Sequence, residues 1–161
     1  MEMRDEAERY CSLIEQADTF GRAAFAAAVA ESLAGLVAAA SRLPEVSPSE
    51  ADLPDGPSQS EWHACLAAVQ RVLGDWDGYW TTTAAHGEGA QEAVMLPLSD
   101  DLADVWRDLK QGLLALDAGA PRDDVAWEWR FGFSAHWGRH ATEALRALHA
   151  RLAQDGGPAR A

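Results

Sequence analysis

Lysine is almost missing from this chain. Among 161 residues Lys110 is the single lysine, so nearly all positive charge is arginine. Positive charge is itself scarce: 13 Lys plus Arg stand against 26 Asp plus Glu, a net charge of −13. That balance argues against nucleic acid as a partner, because phosphate contacts need clustered bases. It argues equally against an anionic membrane surface. Cysteine is scarce too. Cys11 and Cys65 are isolated, which excludes a disulfide framework or a cysteine zinc motif. Each lies in an apolar helical pattern and reads as a reduced core thiol of a cytoplasmic protein. The longest apolar run, Ser32 to Ser41, is bounded by Glu31 and Arg42. It is about half of what a membrane span requires. The acidic start, Met1 to Glu6, lacks the order of a secretory signal. No phosphate-cradling glycine loop and no Gly-x-Ser-x-Gly elbow occur, and no catalytic or cofactor-binding residue is assigned.

What is present is alanine, leucine and helical periodicity. Apolar residues make up 48% of the chain, enough for a core and too many for disorder. The length fits one domain, read as residues 1–155, with 156–161 as a flexible tail. Five helical segments are expected. The first runs from about Asp5 to Ala17, and the second from Arg22 to Arg42, ended by Pro44. Residues 44–60, rich in Pro and Ser, form a loop. Ser58 and Glu61 have capping-box spacing before the third helix. That helix is read through to Trp80, with Trp62, Leu66, Val69, Leu73, Trp76 and Trp80 as one seam. Residues 82–98 are read as a crossover. Ser99 caps a fourth helix with Leu102, Val105, Leu109, Leu113 and Leu116 on its core face. The fifth is read as one rod from Asp123 to Ala153, ~45 Å long, with Gly132 and Gly138 as places to bend or pack closely. The expected fold is an all-α, single-domain antiparallel bundle of about five helices.

Three strings carry a family resemblance. They are Tyr10 to Asp18, Asp100 to Lys110, and Trp127 to Phe131 leading into His136-Trp137-Gly138-Arg139-His140. Together they resemble a small bacterial family, domain-of-unknown-function family 5063, over nearly the whole chain. The resemblance implies an all-helical, single-domain, cytoplasmic bacterial protein. It brings no established activity and therefore no site residues.

Two constellations could carry chemistry. His136 and His140 stand at i, i+4, close enough to share one metal ion. Asp101, Asp104 and Asp108 share a face of the fourth helix. Facing helices that bring carboxylates and imidazoles together are how bundles build metal centres. The candidate ligands are His136, His140, Asp104 and Asp108, with Glu128 as a further one. The competing reading keeps the aspartates in water, away from the leucine stripe, and the histidines packed. The last helix is near neutral, with Arg122, Arg130, Arg139, Arg146 and Arg151 among its residues. Pairing with acidic neighbours explains that more simply than anion binding. Trp76, Trp80, Trp129 and Arg130 are candidates for a pocket or an interface.

Two functions follow. The first is a non-catalytic interaction or regulatory module that binds a basic protein partner, its acidic excess lying mostly in residues 1–80. On that reading the protein has no cofactor and is not an enzyme. The alternative is a metal-binding bundle, a candidate metal-dependent hydrolase, with a divalent ion held between the fourth and fifth helices. A small-molecule pocket between helices ranks third.

Overall fold

In the computed structural model, residues 2–49, 53–82 and 92–156 are described. The chain forms helices α1 (Glu2–Glu15), α2 (Arg22–Ala40) and α3 (Gln59–Leu73), then strands β1 (Gly78–Thr82) and β2 (Ala93–Pro97). Helices α4 (Leu98–Asp117), α5 (Arg122–Ala135) and α6 (Trp137–Asp155) complete it. Short 3-10 turns follow α1 and α3.

The bundle is organised around α4, which packs on α1, α3, α5 and α6, while α2 lies against α1 and α6. Apolar residues at helical spacing build the shared core. Tyr10, Ile14, Phe25, Leu33, Leu36, Leu102, Leu109, Trp137 and Leu148 are all fully buried. Trp137 alone removes ~150–250 Å² from water, a few kcal/mol at ~25 cal/mol per Å². Its indole Nε1 donates to the Trp129 carbonyl at 3.1 Å, so the large ring is buried without an unpaired donor. The Tyr10 hydroxyl likewise donates to the Leu102 carbonyl at 2.9 Å. The cysteines are free. Burial pushes the Cys11 thiol well up, and pushes Cys65 up to about 11. Neither is a ready nucleophile.

Besides the cap of α4, the expectations need four corrections. First, the fold is mostly helical but not purely so, because Gly78–Thr82 and Ala93–Pro97 form an antiparallel hairpin pairing Trp80 with Met95. Second, α3 stops at Leu73. Gly74 takes φ 55°, a conformation in which a side chain would be strained, and turns the chain out of the helix. The seam is real as far as Leu73. Trp76 then sits in a 3-10 turn, and Trp80 stands on the ribbon, 61% exposed. Third, the last rod is two helices. His136, at φ −144° and ψ −83°, breaks it, so six helices replace five among the described residues. A Cβ on Gly138 would lie 2.1 Å from the Phe133 carbonyl oxygen, so only glycine lets α6 start this close to α5. Fourth, α2 is by length and composition apolar enough to cross a membrane, contrary to the short run read from the sequence. Eight of its residues, including Phe25, Val29 and Leu33, are buried within the bundle.

Of the two capping expectations, one holds and one does not. Ser58 accepts from the Glu61 amide while the Glu61 carboxylate accepts from the Ser58 amide, a complete capping box. Ser99 does not cap α4, which begins at Leu98 after Pro97. Its amide and hydroxyl donate instead to Asp77. The crossover reading falls partly on residues 83–91, outside the described residues, as do 157–161 of the expected tail. The loop after α2 is strapped to α5. Arg130 donates to the Leu43 carbonyl at 2.8 Å and to Glu45 at 3.0 Å, and Ser49 donates to Asp124 through amide and hydroxyl, each at 2.6 Å.

Candidate metal centre

The α4–α6 contact buries an aspartate–histidine pair in a mostly apolar core. Asp101, one turn into α4, is 4% exposed, and His140, one turn into α6, is 7% exposed. Nδ1 of His140 donates to Oδ1 of Asp101 at 2.6 Å. The other carboxylate oxygen of Asp101 accepts from the Tyr79 hydroxyl at 2.5 Å. Burial, then the Asp101 hydrogen bond and charge, hold the Tyr79 phenol well above its usual range, so it stays a donor. One and two turns further along α4, Asp104 and Asp108 face the helix break. Nδ1 of His136 donates to Oδ2 of Asp108 at 2.7 Å. The two imidazoles meet edge to face, their centroids 4.8 Å apart.

A carboxylate only accepts, so each ring donates from Nδ1, and in the neutral imidazole Nε2 is then the acceptor atom. Nε2 of His140 lies 3.8 Å from Oδ2 of Asp104. One ligand atom each from Asp104, His136 and His140 lies within 4.8 Å of the others. Asp104 is itself oriented by two donors, Trp62 Nε1 at 3.1 Å and Arg107 Nη2 at 3.0 Å. The Arg107 guanidinium lies over the Trp62 ring, 5.6 Å from its centroid. Nη2 of Arg139 donates to Nε2 of His140 at 3.3 Å. Burial first, then the charges of Asp104 and Asp101, push the neighbouring Asp100 carboxyl up.

The four sequence-derived candidates therefore meet in two tiers. Asp104, His136 and His140 converge, while Asp108 stands behind His136 and spends an oxygen on Nδ1. Asp101 does the same behind His140, and the sequence reading named it on the aspartate face without giving it a role. Tyr79 was missed with the hairpin that carries it. Glu128 lies outside the converging group, further along α5.

The candidates for a pocket or interface do not come together. Trp76 is half-buried beneath Arg22, Trp80 is exposed, Trp129 is buried, and Arg130 holds the strap.

The family described as "Domain of unknown function (DUF5063)" matches residues 1–154. The chain belongs to that family. Its fold is similar to the crystal structure of protein BF1032 from Bacteroides fragilis, with a TM-score of 0.82 and 22% identity. That likeness covers 99% of this chain and 94% of the other. A comparison with curated proteins finds no match.

Proposed function

We propose that this member of the family binds one divalent transition-metal ion through Asp104, His136 and His140. The observation that carries the reading is the pair of aspartate-backed imidazoles converging with a third carboxylate. A carboxylate behind Nδ1 fixes tautomer and ring orientation and makes Nε2 a better ligand, the usual support of a metal-bound histidine. Two nitrogens and one oxygen suit zinc or ferrous iron, not calcium or magnesium. Three protein ligands leave a position open, where bound water would become a nucleophile, so the site fits hydrolysis better than a closed structural role. Arg139, exposed and without a carboxylate partner among the described residues, would yield its contact with His140 to the ion.

The test is a zinc and cobalt titration of protein purified without an affinity tag. One equivalent should bind, and cobalt should give the visible absorption of a four-coordinate site. His140→Ala and Asp104→Ala should abolish binding. Asp101→Asn should weaken it by about 10–100-fold through the imidazole it supports. Absence of stoichiometric binding, or full affinity in His140→Ala, overturns the reading.

A further inference from the structure

The charged groups of the aspartate–histidine cluster sort into a back and a front. Nδ1 and Nε2 of an imidazole point away from each other, so a group bonded to Nδ1 stands behind the ring as Nε2 sees it. Asp101 and Asp108 both bond to Nδ1, so both stand behind. The front is where Nε2 of His140 meets Oδ2 of Asp104. Two guanidiniums reach it, from different helices. Nη2 of Arg139, on α6, lies 3.3 Å from Nε2 of His140. Nη2 of Arg107, on α4, lies 3.0 Å from Oδ1 of Asp104.

Neither arginine is saturated there. A guanidinium carries several N–H donors in a fixed fork. Arg107 uses one on Asp104, is seated over the Trp62 ring, and has no other acceptor among the described residues. Arg139 has no carboxylate partner among the described residues, in a chain with 26 Asp plus Glu. It is exposed, so an ion that takes Nε2 of His140 can displace it without disturbing the core. Solvent reaches this side, where the side chains of Arg107 and His136 are 35% and 41% exposed. Asp100 also feels Arg107 and His140, and is the further carboxylate to count. With a divalent ion bound, the ion and the two guanidiniums outweigh Asp104 and Asp100. The open face is then cationic, although the whole chain carries −13.

Three positive groups around one open position match the three non-bridging oxygens of a phosphoryl group. A carboxylate offers two oxygens and a neutral ester one carbonyl, so each leaves a cation unmatched. Guanidinium forks also fit phosphate geometry. We infer that the site takes a phosphate monoester, its phosphoryl oxygens shared among the ion, Arg107 and Arg139. This deepens the proposed metal centre and rests on it. Hydrolysis consumes one water. The water oxygen bonds to phosphorus, and the bond from phosphorus to the ester oxygen breaks. The leaving alcohol takes one proton of that water, and inorganic phosphate keeps the other. The two arginines hold the charge of the phosphoryl oxygens through the transition state.

The experiment reads zinc binding and substrate chemistry on one preparation. Inorganic phosphate is the binding probe and acetate its control, both followed by calorimetry on zinc-loaded protein. Phosphate should bind at least about tenfold more tightly than acetate, as expected for an added charge-assisted contact. Turnover is compared for p-nitrophenyl phosphate, bis(p-nitrophenyl) phosphate and p-nitrophenyl acetate, and the monoester should have the highest kcat/KM. Arg139→Gln should keep zinc affinity, because it removes a group that competes for Nε2 of His140. It should weaken phosphate binding and lower kcat/KM for the monoester, each by at least about tenfold. Arg139→Lys, which keeps the charge, should recover part of both. Zinc binding without a preference for phosphate, equal turnover of the three esters, or Arg139→Gln matching the unaltered protein would each overturn the substrate class and leave the metal centre standing. Failure of zinc to bind overturns the metal centre and this inference with it.

Discussion

The seam between α1 and α2 and the seam between α4 and the α5–α6 joint bury polar atoms in opposite ways. In the first, the Ser32 hydroxyl, 1% exposed, and the Glu6 Oε2, packed on Gly35, are left without hydrogen-bond partners. In the second, the Trp129 Nε1 is an orphan too, but the carboxylates and imidazoles come in matched sets. Asp101 serves His140 and Tyr79, Asp108 serves His136, and Asp104 takes two donors. Burying a polar group costs free energy unless it is paired. Isolated orphan atoms are a cost that a good core absorbs. A shell of partnered carboxylates and imidazoles is a larger arrangement than core packing needs, and apolar residues there would pack as well or better. The difference between the seams is therefore an argument for chemistry at the second.

The largest break in this comparison is expected from Gly138→Ala. The added methyl meets the Phe133 carbonyl, and overpacking of this kind costs about 1–3 kcal/mol. The helices on either side of His136 would be forced apart, so zinc affinity should fall together with Tm. Thermal unfolding and a zinc titration on one preparation check both. A smaller effect of opposite sign is expected from Ser32→Ala. Removing an unpaired buried hydroxyl should leave stability unchanged or raise it by up to about 1 kcal/mol, read by urea unfolding, with zinc binding unaffected. The smallest effect concerns the strap, where a polar pairing of the same kind sits at the edge of the fold. The hydroxyl and amide of Ser49 hold the Asp124 carboxyl below the usual carboxylate range. A depressed folded-state value means a contribution that is full above the unfolded pKa and lost as pH falls through the folded one. Ser49→Ala should therefore raise the Asp124 pKa, followed through its carboxyl carbon by NMR, and should move the acid limb of stability to higher pH.

Much of this was legible in the sequence, and the misses share a cause. Helical periodicity gave α1, α2, α3 as far as Leu73, and the core stripe of α4, because those faces are buried against neighbours. It misled where two structures share a period. Trp76 and Trp80 continue the spacing of the α3 seam although the chain has already turned at Gly74. Likewise α5 and α6 read as one rod because both flanks of His136 are helical, and only Gly132 and Gly138 hinted at the joint. The meeting of Asp104 with His136 and His140 could be suspected from spacing alone. The wheel argument that put the aspartates in water failed for Asp101, because α4 is surrounded by four helices and has little free circumference. Tyr79 could not be found without the hairpin. The strand signal of Gly78–Thr82 is short, and its partner Ala93–Pro97 has almost none.

The joint at His136 also gives the molecule a fulcrum. Helix α5 has 14 residues. At ~1.5 Å each it is a lever of ~21 Å, so a rotation of about 10° at the joint swings its far tip by roughly 4 Å. His136 sits at the pivot, and the far end of the lever carries Asp124, where the strap is fastened. Angular precision at the imidazole pair and the position of the strap are thus one mechanical quantity, read at two ends.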